Sequence, residues 1–197
     1  MKPGNAAVFS ANEAEGYHFV KMVIDGTEYT DRSVMITIPD HDITVTAYFK
    51  KDPVITCVVE PSGSGSVTEP PASVKPGHAA VFGANEAEGY YFVSMVIDDT
   101  EYTDRSVMIT IPDHDFTVRV VFAANPTISW TADPSEGGTV NAPVAAKPGL
   151  VTYASAQPAE GYHFVKLVID GTEYTSQSVN FEMPDHAVTV TAYFAED

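Results

Sequence analysis

The chain has 197 residues, of which 27 are acidic and 10 basic, so its formal net charge is −17. A field of this sign repels nucleic acid and anionic membranes, which argues against both as partners. The single cysteine, Cys57, excludes an internal disulfide and a cysteine-based zinc site. No apolar run reaches the length of about 18 residues that a membrane-spanning helix needs.

One block of sequence occurs three times in the chain. Residues 2–49 align without gaps on residues 75–122, with 39 of the 48 positions identical, and residues 147–194 are a third, looser copy. The copies begin about 73 residues apart, and a unit of that length can just form its own core without disulfides. The chain is therefore predicted to be a tandem array, an organisation to which a lone active site is a poor fit.

The second and third copies carry an opening segment that the first copy lacks. These segments are residues 54–74 and 127–146, and each follows a proline that stiffens the joint to the preceding copy. The sequence therefore predicts an incomplete first repeat at residues 1–50, a second repeat at residues 51–124 and a third at residues 125–197.

The second repeat illustrates the predicted elements in chain order. Residues 55–59 form a β-branched run, residues 62–65 are turn residues and residues 66–68 begin a return strand, a pattern that predicts an opening hairpin. Further strands are predicted at residues 79–84, 90–98, 100–103, 106–111 and 116–122.

Two local patterns support this reading. Asp25-Gly26 and Asp170-Gly171 are strong signals for a tight hairpin, with Asp98-Asp99 at the equivalent position. In the last strand the apolar residues alternate with the others, as expected of a strand with one buried face; those apolar residues are Phe116, Val118, Val120 and Phe122. The predicted fold is therefore all-β, in small and mostly antiparallel units.

The third copy carries the most complete set of motifs. Gly138-Thr139-Val140 is followed by residues 156–164 (AQPAEGYHF), by Met183-Pro184-Asp185-His186 and by residues 189–194 (TVTAYF). These motifs resemble those of the divergent internalin-B-type B-repeat domain of bacterial surface proteins. The resemblance implies a small, mostly β unit, with the β-grasp as a candidate relative, and it brings no catalytic or metal-binding residues. The tryptophan of that family falls at Met22, Met95 and Leu167, which keep a large apolar side chain.

Two acidic patterns are candidate sites. Asp40-His41-Asp42 and Asp113-His114-Asp115, with Asp185-His186 in the third copy, could bind a metal or act as a base, but each follows a proline and favours a turn. The acidic stretch around Asp25, Glu28 and Asp31 lacks the converging oxygens of a calcium loop. No metal or cofactor is therefore expected, with weak surface calcium binding as the alternative.

Aromatic residues provide the remaining candidates. Tyr17, Tyr90 and Tyr162 share a strand face with a phenylalanine and are predicted to belong to the core. Tyr48 and Tyr193 lie on the outer face of the last strand and are the candidate ligand contacts. Cys57 aligns with Trp130 and is predicted to be a buried core thiol.

These observations predict a structural stalk, spacer or adhesion segment of an extracellular bacterial surface protein. The alternative is a multivalent module that binds glycan or a host protein. The chain is not expected to be an enzyme, because no catalytic constellation is present. It starts within a repeat and without a signal peptide, which predicts a fragment of a longer protein. The first repeat is expected either to be locally opened or to self-associate through its unpaired edge.

Overall fold

The structure is a computed structural model that describes residues 2–70 and 74–197. Within these ranges the chain forms 19 strands and no helix, which confirms the all-β prediction. The described residues accordingly contain no helix that is long and apolar enough to cross a membrane. Residues 71–73 of the second repeat's opening segment lie outside the described ranges.

The first repeat has five strands, and the second and third have seven each. The strands of the first repeat are β1 (Ala6–Ser10), β2 (Tyr17–Ile24), β3 (Thr27–Tyr29), β4 (Ser33–Thr37) and β5 (Val45–Lys51). Those of the second are β6 (Ile55–Glu60), β7 (Gly65–Thr68), β8 (Ala79–Glu86), β9 (Tyr90–Ile97), β10 (Thr100–Tyr102), β11 (Ser106–Thr110) and β12 (Phe116–Ala124). Those of the third are β13 (Ile128–Asp133), β14 (Gly138–Asn141), β15 (Val151–Pro158), β16 (Tyr162–Ile169), β17 (Thr172–Tyr174), β18 (Ser178–Glu182) and β19 (Val188–Glu196).

The chain divides into two compact units. The first consists of Met1–Val58, Val67–Gly83 and Val96–Arg119, and the second of Val59–Ser66, Ala84–Met95 and Val120–Asp197. The first unit thus contains the first repeat and the second unit contains the third repeat, while the residues of the middle repeat are distributed over both.

The third repeat consists of two sheets that share one core. A four-stranded sheet has the order β13-β19-β16-β17, and a three-stranded sheet has the order β14-β15-β18. All pairings are antiparallel except that of β13 with β19, in which Ile128 lies beside Val188. The core takes apolar side chains from both sheets, and among its most buried members are Ala154, Leu167, Met183, Val190 and Ala192.

The opening segment is not the hairpin that the sequence predicts. β13 and β14 are joined by a short turn, but β13 bonds to β19 in one sheet and β14 bonds to β15 in the other. The hairpin prediction is therefore wrong, because the partners of these strands lie elsewhere in the chain. We call this element, two consecutive strands that enter different sheets, the opening arch.

The second repeat has the same two strand orders, β10-β9-β12-β6 and β11-β8-β7. The first repeat has the shorter orders β3-β2-β5 and β1-β4, because it has no opening arch among its described residues. Its core is correspondingly small, with Met22, Ile24 and Val34 as the buried members.

The predicted tight turn and the predicted apolar plug are both present. Asp25 and Gly26 have φ values of 49° and 79°, and this pair of left-handed residues allows β2 to turn directly into β3. Met22, Met95 and Leu167 are at most 1% exposed, so these side chains fill the position of the family's tryptophan.

Candidate functional site

The acid–histidine segments form a contact that is repeated in all three copies. In each repeat the histidine Nε2 lies within hydrogen-bond distance of Oδ2 of the aspartate that opens the Asp-Gly-type turn, 16 positions earlier. The pairs are His41 with Asp25 at 2.8 Å, His114 with Asp98 at 2.9 Å and His186 with Asp170 at 3.0 Å. We call this contact the Asp–His latch, and it ties the turn after the second long strand to the turn before the last strand.

In the first and third repeats the latch raises the pKa of its histidine. The hydrogen bond to Asp25 raises the pKa of His41, and the hydrogen bonds to Asp170 and then Asp185 raise the pKa of His186. The imidazolium form therefore bonds best to the carboxylate. The acid–histidine segments are therefore turns, as predicted, but the sequence did not indicate that the histidine bonds to the aspartate of a second turn.

The neighbouring acidic stretch is also engaged in local pairs. Glu28 accepts a hydrogen bond from Lys21 Nζ at 2.5 Å, and Asp25 belongs to the latch. In residues 2–70 and 74–197, no group of three or more histidine, cysteine or acidic side chains could hold a metal ion. Two of the three carboxylates in the stretch, Asp25 and Glu28, are therefore partners of basic side chains.

A partly buried carboxylate links the first repeat to the second, within the first unit. Glu13 is only 11% exposed, and its Oε1 accepts a hydrogen bond from the Phe19 backbone N–H at 2.8 Å. The same carboxylate forms ion pairs with Arg32 of its own repeat and with Lys75, the first residue of the next Lys-Pro-Gly segment. Lys75 Nζ also lies 3.4 Å from the Tyr17 carbonyl oxygen.

The same contact links the second repeat to the third, within the second unit. Lys147 Nζ donates to Glu86 Oε1 at 2.9 Å, and that oxygen also accepts the Phe92 N–H at 2.6 Å. Glu13 and Glu86 are equivalent positions, as are Lys75 and Lys147, so we call this contact the joint clasp. The third repeat has Pro158 at the position of the glutamate.

The first joint has additional polar contacts. Lys50 Nζ donates to both the backbone oxygen and Oδ2 of Asp113, each at 2.8 Å. His18 lies between two carboxylates, with Nδ1 at 3.0 Å from Asp52 and Nε2 at 3.3 Å from Asp113. The hydrogen bond from Lys50 lowers the pKa of Asp113. Ala123 stands at the position of Lys50 in the second repeat, so this set belongs to the first joint alone.

The two candidate contact tyrosines lie beneath lysine side chains. Lys21 Nζ is 5.3 Å from the centroid of the Tyr48 ring, and Lys166 Nζ is 5.1 Å from that of Tyr193. Tyr48 is 46% exposed, whereas Tyr193 is half-buried. Each ring therefore already has a cation–π partner within its own repeat.

The cysteine is less buried than the sequence predicts. Cys57 is half-buried, and desolvation together with Glu69 raises the pKa of its thiol to about 12. A thiol in this state is a poor nucleophile, because the thiolate is the reactive form.

Small two-sheet modules, repeated in series and clasped at each joint, define a tandem β-repeat protein. The chain belongs to the divergent InlB B-repeat domain family, whose model matches residues 1–53, 55–126 and 128–197. The resemblance seen in the sequence motifs is thereby confirmed.

The chain has no match among the curated proteins and a distant match among the solved structures. A solved structure from Bacteroides ovatus, the mixed-linkage glucan utilization locus protein SGBP-B in complex with a mixed-linkage heptasaccharide, is similar at 10% sequence identity and a TM-score of 0.15. The match covers 95% of this chain and 63% of that protein, so the chain spans less than two thirds of its length.

Proposed function

We propose that the chain is a stalk or spacer segment of an extracellular bacterial surface protein, in which the repeats supply length between a surface and a functional part. The joint clasp is the observation that carries this proposal. A spacer needs defined joints, and the same lysine–glutamate contact is formed at both joints by equivalent residues. The family assignment supports a surface location, because B-repeats are typical of bacterial surface proteins.

The burial of the clasp glutamates favours a joint of fixed geometry. Glu13 and Glu86 are 11% and 18% exposed, and each is also held by a backbone N–H of its own repeat. A carboxylate fixed in this way presents its charge to the next repeat from one direction. An exposed and freely rotating ion pair would contribute much less to a joint.

Small-angle X-ray scattering tests the spacer function. A compact globule of this length would have a radius of gyration of about 16 Å, and repeats held in series should give a clearly larger value. Replacing both clasp glutamates, Glu13→Gln with Glu86→Gln, should broaden the distance distribution by loosening the joints.

The matched control is the double variant Glu28→Gln with Glu173→Gln. These carboxylates pair with Lys21 and Lys166 inside their own repeats, so the scattering should stay unchanged. A compact wild-type chain, or equal effects of the two double variants, would count against the spacer function.

The second candidate is a multivalent module for glycan or a host protein, favoured by the exposed ring of Tyr48 and its counterpart Tyr193. Weak sites that recur along one chain can bind a multivalent ligand by avidity. A glycan array should then show binding that is lost in the double variant Tyr48→Ala with Tyr193→Ala and retained in the corresponding phenylalanine variant, which keeps the rings. If the wild-type protein binds no glycan on the array, the glycan-binding function is contradicted and the spacer function remains.

A further inference from the structure

The first strand of the opening arch in the third repeat has an open edge. β13 pairs with β19 on one side, and no other strand pairs with its second side in the part of the chain that the structure describes. The N–H of Ile128 donates to the carbonyl oxygen of Val144 at 2.8 Å, so the open part of the edge begins after this residue. Residues 129–131 are exposed, which leaves that part accessible.

The backbone of β13 points toward this edge at alternate residues. The carbonyl oxygen of Thr127 accepts the N–H of Val188, so the odd-numbered residues from Thr127 onward direct their N–H and C=O groups to β19. The corresponding groups of Trp130 and Ala132 point the other way, and they have no partner among the residues that the structure describes. A strand that lies antiparallel along the edge can bond to all of them.

The open edge lacks the features that usually prevent the addition of another strand. Edge strands are commonly protected by a charged side chain, a proline or a bulge. Residues 129–132 (SWTA) contain no charge and no proline, and their register with β19 runs without a shift. Asp133 supplies the only charge of the strand, at its end.

The equivalent edge of the second repeat is protected by a carboxylate. β6 is also the last strand of its sheet, although a further repeat follows it in the chain. The Glu69 side chain lies within hydrogen-bond reach of the Cys57 thiol, at the position of Trp130, and places a negative charge beside the strand. Ala142 stands at the position of Glu69 in the third repeat, so β13 lacks this carboxylate.

A second copy of β13 is a complementary partner for this edge. In antiparallel pairing centred on Thr131, Trp130 faces Ala132 of the other copy, and Ser129 faces Asp133 of the other copy. The first pair lies on the core side of the sheet and the second on the outer side. Apolar side chains therefore meet each other, and each carboxylate meets a hydroxyl group. This arrangement matters because each chain carries a net charge of −17, and long-range repulsion otherwise opposes association.

We propose that β13 is a self-association site at which two copies of the chain form a dimer. The N–H and C=O of Trp130 bond to the C=O and N–H of Ala132 in the other copy, and the same pair recurs by two-fold symmetry. The two four-stranded sheets become one continuous sheet across the contact. The contact is isologous and therefore stops at the dimer. It goes beyond the spacer function, because it joins two chains to each other.

Sedimentation equilibrium of the full chain tests this site. An edge contact is smaller than the standard interface of about 1,600 Å², so a dissociation constant on the order of 0.1 mM is expected. The measurement uses about 0.5 M sodium chloride, which screens the acidic surfaces from each other. Ala132→Pro removes an N–H that points away from β19 and should weaken dimerisation at least about tenfold. The matched control is Val59→Pro, the same change at the equivalent position of the protected strand β6, and it should leave dimerisation unchanged.

Two readouts on the wild-type chain do not depend on the folding of a variant. As the chain concentration rises through the dissociation constant, hydrogen exchange at the Trp130 and Ala132 amides should slow. The fluorescence of Trp130, the only tryptophan of the chain, should shift to shorter wavelength, because its ring is 38% exposed in the single chain and loses contact with water in the dimer.

A chain that stays monomeric at about 1 mM would overturn the proposal. Equal weakening by the two proline variants would overturn it too, since the effect would then not depend on the edge of β13. A dimer in which the Trp130 and Ala132 amides exchange as fast as in the monomer would have the same consequence, because another surface would then form the contact.

Discussion

The joint clasp predicts a large local effect of a single carboxylate. Replacing Glu13 by alanine removes the acceptor of the Phe19 N–H and the counter-ion of Lys75 and Arg32. A hydrogen bond from a backbone N–H to a charged carboxylate is worth about 1.5–3 kcal/mol. Lys75 and Arg32 are 33% and 56% exposed, so each ion pair adds at most about 0.5 kcal/mol. The expected local destabilisation is therefore about 3 kcal/mol.

Amide hydrogen exchange at Phe19, followed by NMR, measures this destabilisation directly. At 1.36 kcal/mol per tenfold, the exchange of that amide should accelerate by about a hundredfold in Glu13→Ala. Glu13→Gln keeps an oxygen for the N–H but loses the charge, so we expect an acceleration of about tenfold. Global unfolding is the poorer assay, because a chain of several repeats need not unfold in one step.

Glu28→Ala is the matched control. Glu28 is 62% exposed and is also paired with a lysine, so its removal should change the exchange at Phe19 by no more than about twofold. Equal acceleration in the Glu13 and Glu28 variants would refute the argument from burial. Unchanged exchange at Phe19 in Glu13→Ala would refute the hydrogen bond itself.

Three further predictions concern the third repeat and the cysteine. The raised pKa of His186 means that the latch contributes its full stabilisation below about pH 6.5, the pKa of an unfolded histidine. This contribution is lost as the pH rises through the higher pKa of the folded state. The urea midpoint of the repeat, followed by its tryptophan fluorescence, should therefore fall between about pH 6 and 8. Asp170→Asn should remove this pH dependence, and a rising midpoint would contradict it. Gly138→Val should destabilise the repeat by about 3 kcal/mol in the same assay, because an added Cβ lies 2.4 Å from a backbone oxygen. Gly149→Ala is the control. This glycine has open space around it and a φ of 77°, so the substitution should cost about 1 kcal/mol. The thiol pKa of about 12 predicts that, at about pH 8, Cys57 reacts with iodoacetamide at least about a hundredfold more slowly than glutathione does. Unfolding in urea should remove this difference. Equal rates for the folded chain and glutathione would contradict the prediction.

The sequence predicted most of the strands because their signals are local. The alternation of Phe116, Val118, Val120 and Phe122 marks one buried face, and the structure places all four at or below 5% exposure. The Asp-Gly pair likewise dictates its own turn through two left-handed residues. Neither inference needs to know which other strand is the partner.

The opening arch could not be predicted in this way, because a hairpin and an arch have the same local signals. Ile128 pairs with Val188, and that parallel pairing depends on residues at the far end of the repeat. The joint clasp was not predicted for a similar reason. Lys75 and Glu13 are 62 positions apart, and charged residues usually indicate only a solvated face.

The latch had one usable signal, namely that its aspartate and histidine recur together in every copy. Each residue was already explained by its own turn, so the pairing of the two turns was missed. Ligand contact by Tyr48 and Tyr193, the three repeat boundaries and the absence of enzymatic activity stay predictions.

The joint clasp also determines how the number of repeats can change. Both of its residues belong to the repeated block, since Lys75 opens one copy and Glu13 lies in the copy before it. Duplication of a whole block between the first and second repeats would therefore create a new joint with its ion pair already in place. The third repeat has Pro158 in place of the clasp glutamate, so it has no carboxylate at this position for the lysine of a following repeat. Copy number can accordingly grow between the first and second repeats without new interface residues, whereas a joint made by the third repeat with a following one must be of a different kind.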